Sequence, residues 1–157
     1  QKQLQKQYWF LSASDPGFEM KAVSLSIGHH PKSRKKMVVR QHEHSRLRGK
    51  WYPAETHFRR LGQELGCTLW QATMRSGVMH QIRVHAKAAG IPLLGDRLYG
   101  GGTNELEFPA QFALHHRGLS ALKPGQLDEP GIRPAPLPLW WPSWAHSLVM
   151  RYSTGGG

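Results

Sequence analysis

The segment spanning residues 75–100, RSGVMHQIRVHAKAAGIPLLGDRLYG, combines an apolar repeat with an unusual density of polar side chains. Apolar residues recur at roughly helical spacing through residues 79–90, and Ser76 and Gly77 separate them from the strand-like sequence before them. Gly90 suits the C-terminal cap of a helix, and Pro92 prevents the helix from continuing. The sequence therefore predicts a short helix over residues 79–90 whose apolar side packs against a core.

The polar residues of this helix are regularly spaced. His80 and Arg83 are three residues apart and Gln81 and His85 are four apart, so the members of each pair share a side of the helix. Considered alone, this pattern is more typical of a solvent-exposed helix surface, and a functional cleft is the alternative.

Most of the remaining sequence predicts short strands, marked by alternating apolar residues or by aromatic and β-branched clusters between turn formers. The predicted strands are residues 7–12, 20–27, 37–40, 55–65, 67–74 and 112–122. Residues 67–74 carry apolar side chains on both sides, so both faces of that strand are expected to be partly covered. A second helix is expected to begin near Pro142.

Net charge indicates the class of partner. The 157-residue chain has 21 Lys and Arg against 10 Asp and Glu, and its formal charge of +11 attracts polyanions, nucleic acid first. We expect no membrane partner, because the sequence has no run of about 18 apolar residues and no basic amphipathic helix. A hydrophobic content of 39% suits one globular domain. Cys67 is the single cysteine, so the chain can form no internal disulfide, and a reducing compartment is expected.

The ten histidines raise the question of a metal site. His80 and His85 are five residues apart, whereas zinc ligation from one helix usually needs a spacing of three or four, and no HExxH pattern occurs. We therefore expect no metal, and favour exposed or hydrogen-bonded histidines on a basic surface. Cys67 lies in an apolar strand pattern, which favours a buried structural thiol over a nucleophile.

A basic loop joins two of the predicted strands, and its cationic side chains are Lys32, Arg34, Lys35 and Lys36. These side chains suit a solvated loop tip, and they also suit contacts to nucleic-acid phosphates, which position a nucleic acid without specifying its sequence. The two interpretations are compatible.

Several motifs, taken in order, resemble one protein family. Lys6-x-Tyr8, ETHFRRL, RSGVMHQIRVHAKAAGIPLLGDRLYG, FALHHRGLSALKPG and APLPLWW together resemble the C-terminal half of the RluA-type pseudouridine synthases. The stretch HQIRVH and the later Gly90, Pro92, Gly95-Asp96 and Tyr99-Gly100 are in register with the family's TGR-T-HQIR-V-H and G-x-P-x-x-GD-x-x-YG motifs. The resemblance covers nearly the whole chain.

The resemblance implies an α+β fold with a mixed, largely antiparallel sheet and flanking short helices. Residues 1–152 would form the C-terminal portion of a pseudouridine synthase catalytic domain, and residues 153–157 a flexible tail. The implied activity is the isomerisation of uridine to pseudouridine in structured ribosomal or transfer RNA, by base flipping and without metal or organic cofactor. We expect a monomer in the cytoplasm, with an organelle as the alternative compartment.

The resemblance also implies roles for individual residues. Tyr8 matches the tyrosine that packs beside the target ring, and Arg83 matches the arginine that pairs with the family's nucleophilic aspartate. Ile82 would line the base pocket, while His80 and Gln81 would lie along the RNA groove or brace the motif. Lys32, Arg34, Lys35 and Lys36 would bind RNA phosphates, and Asp96 is expected to be a structural loop acid that accepts hydrogen bonds from backbone amides.

Two departures from the family pattern keep alternatives open. The family's HRLD-type motif, which carries the nucleophile, precedes the K-x-Y motif, so we expect it upstream of Gln1 and expect this chain alone to be inactive. Asp15 has the wrong position in the order. Val78 and Met79 replace the usual arginine and threonine, which favours a catalytically inactive relative that binds RNA or assembling ribosomes. A histidine-metal hydrolase is a third hypothesis, which the histidine spacing disfavours.

Overall fold

The computed structural model describes residues 3–13, 15–64, 66–101, 113–122, 136–139, 141, 143, 146 and 147. Eight strands and one helix are assigned within these residues. In chain order they are β1 (Gln3–Ser12), β2 (Met20–Val23), β3 (Ile27–His29), β4 (Met37–Val39), β5 (Arg48–Tyr52), β6 (Thr56–Glu64), β7 (Cys67–Met74), α1 (Gln81–Ala88) and β8 (Leu114–Leu122).

The strands form two sheets. The larger has the order β2-β6-β7-β1-β8 and the smaller the order β4-β3-β5, and every neighbouring pair is antiparallel. β1 lies between β7 and β8, so its side chains are fixed in register from both sides. This antiparallel architecture with a short helix confirms the predicted fold class.

The strand β7 supplies core residues to both faces of the larger sheet. Trp70 and Ala72 pack in one cluster with Ile82 and Ala86 of α1. Leu69 belongs to a separate cluster, with partners from β1, β6 and the C-terminal part of the described chain. The prediction that both faces of this strand are covered is confirmed, and α1 covers one of them.

The helix α1 is buried on more than one side. Ile82 and Ala86 pack on the larger sheet, while Val84 joins a cluster with Ile27 and Met37 of the smaller sheet. α1 therefore lies between the two sheets, and its polar side chains must find partners inside the fold.

The elements differ from the sequence predictions at three places. The predicted strand over residues 20–27 is two strands, β2 and β3, which belong to different sheets. β5 was missed because four of its five residues are exposed and its sequence, RGKWY, shows little apolar alternation. α1 begins at Gln81 rather than at residue 79, since His80 has a left-handed backbone with φ of 57°. The helix predicted near Pro142 lies mostly outside the described residues, and so does the tail at 153–157.

A compact cap ends α1 and turns the chain into the loop that completes the site. Gly90, with φ of 80°, donates its N–H to the carbonyl of Lys87, and Ile91 donates to that of Ala86. The chain is then fixed to β1, because the N–H of Leu94 bonds to the carbonyl of Leu11 at 2.8 Å. This anchoring places residues 95–100 beside the first turns of α1.

No helix in the described residues is both long enough and apolar enough to span a bilayer.

Candidate functional site

A cavity of about 390 Å³ lies beside the N-terminal end of α1, a volume within the range of small-molecule sites. Its walls come from β1, the end of β7, the first turn of α1 and β8. Five of the predicted site residues line it, namely Tyr8, His80, Gln81, Ile82 and Arg83, together with Lys6, Met74, Gly77, Val78 and Leu114.

Tyr8 forms one wall of this cavity. Alternate residues of β1 point to the same face, so Tyr8 shares the α1 side with the fully buried Phe10. Its ring lies 4.7 Å from the ring of His116 on β8, with the two planes tilted by 41°. The strand pairing aligns these two residues directly. His116 was not predicted as a site residue, although the His115-His116 pair lies within a predicted strand.

Arg83 is held by Asp96 in a bidentate ion pair. Its Nε donates to Asp96 Oδ2 at 2.8 Å and its Nη2 donates to Oδ1 at 2.9 Å. The Asp96 side chain has no solvent exposure and that of Arg83 is 12% exposed. The guanidinium also lies 5.0 Å from the centre of the Tyr99 ring. Two parallel charge-assisted hydrogen bonds fix the orientation of the guanidinium plane.

This pair changes the interpretation of both residues. Asp96 accepts a hydrogen bond from the Tyr99 N–H at 3.3 Å, in line with its expected structural role. It also provides an anionic partner for Arg83, which the sequence analysis did not anticipate. The pairing of Arg83 with a nucleophilic aspartate stays a prediction.

His80 is tied to the same loop through Tyr99. Its Nδ1 lies 2.8 Å from the Tyr99 hydroxyl, and that hydroxyl accepts a hydrogen bond from the N–H of Met37 at 2.9 Å. Burial, followed by the charge of Arg83, lowers the pKa of His80, while the charge of Asp96 acts to raise it. Burial raises the pKa of Tyr99, so this side chain stays a neutral phenol at neutral pH. The Tyr99 hydroxyl thus links His80, which directly precedes α1, to β4.

Gln81 braces the start of α1. Its side chain is inside the fold, since the residue is 2% exposed. Oε1 accepts from Ser76 Oγ at 2.9 Å and from the Val78 N–H at 3.3 Å, and Nε2 donates to the Glu55 carbonyl and to Thr56 Oγ1, each at 3.0 Å. All four hydrogen-bonding positions of the amide are used within the protein. Of the two roles left open for Gln81, this arrangement favours bracing over contact with RNA.

His85 continues this network and was not predicted as part of it. Its Nε2 bonds to the Leu25 carbonyl at 2.7 Å, which requires the proton on that nitrogen, and its Nδ1 pairs with Thr56 Oγ1 at 2.8 Å. Burial lowers the pKa of His85, although the bond to the Leu25 carbonyl opposes this shift. The neutral ring is therefore a buried structural link between α1 and the chain before β3.

The apolar part of the site comes from Ile82 and Val78. Ile82 is 4% exposed and belongs to the cluster beneath the cavity. Val78 packs against the cluster of Ile27, Met37 and Tyr99 while lining the cavity. Where the family motif has an arginine, this chain thus has an apolar wall.

The predicted phosphate-binding loop lies between β3 and β4. Three of its four cations are exposed and Lys36 is half-buried, and none of the four lines the cavity; they are Lys32, Arg34, Lys35 and Lys36. The base of the loop is nevertheless connected to the site, because Met37 follows Lys36 and donates to Tyr99. RNA binding by these side chains stays a prediction.

Across the described residues, no group of three or more His, Cys, Asp or Glu side chains is arranged to hold a metal ion. Cys67 is fully buried in an apolar cluster, which supports its structural interpretation.

Comparison of the sequence with curated proteins finds a consistent set of relatives. An uncharacterized RNA pseudouridine synthase of Synechocystis sp. is 35% identical over 126 residues, which are 79% of this chain and 36% of that protein. The ribosomal large subunit pseudouridine synthase D of Nitrosomonas europaea is 42% identical over 78 residues, 50% of this chain and 20% of that protein. No protein-family model matches the chain.

The chain is a homologue of the RluA-type RNA pseudouridine synthases. The resemblance stated from the motifs is confirmed. The chain spans about a third or less of the length of these two relatives.

Two solved structures show the same fold. The human RNA pseudouridylate synthase domain containing 1 superimposes with a TM-score of 0.61 at 20% identity, covering 94% of this chain and 66% of that one. The human RNA pseudouridylate synthase domain containing 4 superimposes with a TM-score of 0.52 at 23% identity, covering 74% and 53%. At these identities the likeness concerns the fold alone.

Proposed function

We propose that this chain is the C-terminal portion of the catalytic domain of an RNA pseudouridine synthase, formed by residues 1–152. The whole protein would isomerise uridine to pseudouridine in structured ribosomal or transfer RNA. The observation that supports this most is the cavity, in which Tyr8 of β1 and Arg83 of α1 share one lining although they are far apart in sequence. Both residues occupy positions of the family motifs, Lys6-x-Tyr8 and HQIRVH.

The proposed reaction conserves all atoms of the nucleoside. The bond between N1 of uracil and C1′ of the ribose breaks, the base rotates, and a bond forms between C5 and C1′. C5 loses a proton and N1 gains one. Base flipping out of a structured RNA costs a few kcal/mol, which stacking and polar contacts in a pocket can offset.

Each cavity residue has a definite part in this proposal. The ring of Tyr8 would lie beside the uracil, and its phenol oxygen would take up the proton lost from C5 as its own hydroxyl proton passes on towards N1. Ile82 would line the base pocket. Arg83 would stabilise the ionised form of an aspartate nucleophile, because a fixed guanidinium favours the negative charge nearby. Asp96 would hold that guanidinium in position from its other side. The order of the family motifs assigns the nucleophile to sequence outside residues 1–157.

The basic loop would contribute affinity without specificity. Lys32, Arg34, Lys35 and Lys36 would bind phosphates, and the net charge of +11 would attract the RNA over longer distances. We propose that the protein acts as a monomer in the cytoplasm or in an organelle, with no cofactor.

One observation supports a second candidate, a catalytically inactive relative that binds RNA or assembling ribosomes. Val78 occupies the cavity wall as an apolar side chain where the family motif has a cation. The gene sequence upstream of Gln1 distinguishes the candidates. An H-R-x-D stretch encoded there supports the enzyme, and an intact gene without one supports the binding module.

The enzymatic test uses a transcript with tritium on C5 of uridine, because pseudouridine formation releases that hydrogen. In protein that carries both residues 1–157 and the H-R-x-D region, Arg83→Met/Asp96→Asn leaves no buried charge without a counter-charge. This double variant should abolish tritium release while keeping most of the RNA affinity, which the wider basic surface supplies. Lys21→Met, at an exposed lysine on β2, serves as the control. Normal tritium release by the double variant would refute the assignment of Arg83. Release by residues 1–157 alone would refute the external nucleophile.

A further inference from the structure

Lys6 extends the wall that Tyr8 provides. Residues two apart on a strand point to the same face, so Lys6 and Tyr8 both lie on the α1 side of β1. Its pairing partner in β7 is Met74, and both side chains line the cavity together with His80 and Arg83. The ammonium group of Lys6 therefore adjoins the space where Tyr8 would meet a base.

Among the described residues, one cation that lines the cavity has no carboxylate partner. Lys6 and Arg83 both line it, and no Asp or Glu is among the described residues that do. Arg83 is paired with Asp96, whereas Lys6 makes no ion pair within the part of the chain that the structure describes. An anionic group of a ligand is therefore the natural partner for the ammonium of Lys6.

Gly77 makes the position of this ammonium possible. A Cβ atom at residue 77 would lie 2.8 Å from Lys6 Nζ, closer than real Cβ contacts. The absence of a side chain thus lets the Lys6 ammonium lie against the backbone that joins β7 to α1. Since the atom in the way is the end of a flexible side chain, an alanine here would displace the ammonium while leaving the backbone in place.

We propose that Lys6 binds a phosphate group flanking the flipped uridine, and that Gly77 fixes where its ammonium lies. The identity of the ligand as RNA rests on the proposed function. The ammonium of Lys6 would donate a hydrogen bond to a phosphate oxygen while Tyr8 and Ile82 contact the base. The nucleotide would then be held at its charged end and at its ring.

The first experiment tests the anion site without RNA. Inorganic phosphate is titrated into the 157-residue chain at constant ionic strength, and the amide NMR resonances of residues 76–78 are followed. Wild type should give a saturable shift. Lys6→Met should weaken phosphate binding about tenfold, as expected for loss of one charge-assisted hydrogen bond, and Gly77→Ala should weaken it while keeping the folded spectrum.

Lys21→Met is the matched control, because Lys21 is an exposed lysine outside the cavity, and it should behave as wild type. A wild-type chain without a saturable shift would overturn the proposal. A shift that Lys6→Met retains in full would do the same.

The second experiment identifies the phosphate as part of RNA. Two short RNAs with one uridine are compared by fluorescence anisotropy, one unmodified and one with uncharged methylphosphonates on both sides of that uridine. Wild type should prefer the unmodified RNA about tenfold, and Lys6→Met should bind both equally.

The two experiments separate the two proposals. If Lys6 binds inorganic phosphate and the chain binds neither RNA, the proposed function is wrong and the anion site remains. If both RNAs bind and Lys6→Met keeps the wild-type preference, the role of Lys6 is wrong and the proposed function stands.

Discussion

Asp96→Asn should destabilise this protein strongly, although the substitution changes the shape of the side chain very little. The Asp96 side chain is fully buried and its partner Arg83 is 12% exposed, so the substitution leaves a largely buried guanidinium without its counter-charge. Removing one member of a buried ion pair typically costs about 3 to 5 kcal/mol. The amide oxygen can still accept one hydrogen bond from Arg83, so we expect the lower end, about 3 kcal/mol in the free energy of unfolding.

The assay is urea unfolding of wild type, Asp96→Asn and the double variant Arg83→Met/Asp96→Asn, followed by tryptophan fluorescence. Because the cost comes from an uncompensated charge, the double variant should be more stable than Asp96→Asn alone. A single variant within about 0.5 kcal/mol of wild type, the scale of ordinary surface substitutions, would refute the reasoning. A double variant less stable than Asp96→Asn would refute it as well.

Two further predictions concern the network behind α1. Burial lowers the pKa of His85 in the folded state, so the unfolded chain takes up the proton first as the pH falls, and the free energy of unfolding should decrease below about pH 6.5, the ordinary pKa of histidine. Urea unfolding between pH 7.5 and 5 should show this decrease, and His85→Gln should reduce it; an unchanged slope in the variant would contradict the assignment. Gln81→Leu removes four hydrogen bonds, so it should cost about 2 to 4 kcal/mol, at about 0.5 to 1 kcal/mol for each bond. If Gln81→Leu instead keeps wild-type stability and loses RNA affinity, Gln81 contacts RNA rather than bracing α1.

Local sequence predicted most of the larger sheet because its strands have strong local patterns. β1, β6 and β7 alternate apolar and polar residues or carry dense aromatic clusters, and β8 was found in the same way. β5 was not predicted because four of its five residues are exposed, so its sequence lacks the apolar alternation that a core-facing strand shows. The break between β2 and β3 was not predicted either. The alternation of apolar and polar residues continues through residues 20–27, although the chain passes there from the larger sheet to the smaller one.

The site was predicted from motif order rather than from periodicity. By spacing alone Arg83 would be an ordinary helix-surface arginine, and only its place in HQIRVH distinguished it. The sequence could not show that the Gln81 amide bonds to the Glu55 carbonyl and to Thr56 Oγ1. These contacts form only when the start of β6 packs against α1. His116 was missed for the same reason, since its contact with Tyr8 depends on the pairing of β1 with β8.

The amino-acid sequence by itself determined the basic charge, the presence of α1, the main strands and the family to which the motifs belong. These properties follow from composition, local periodicity and the order of residues along the chain. Only the tertiary structure decided that Arg83 is paired with Asp96, that Gln81 is used internally, and that Lys6 reaches the backbone at Gly77. Such contacts join residues from different elements, and their geometry depends on how the sheets and the helix pack, which no local pattern in the sequence encodes.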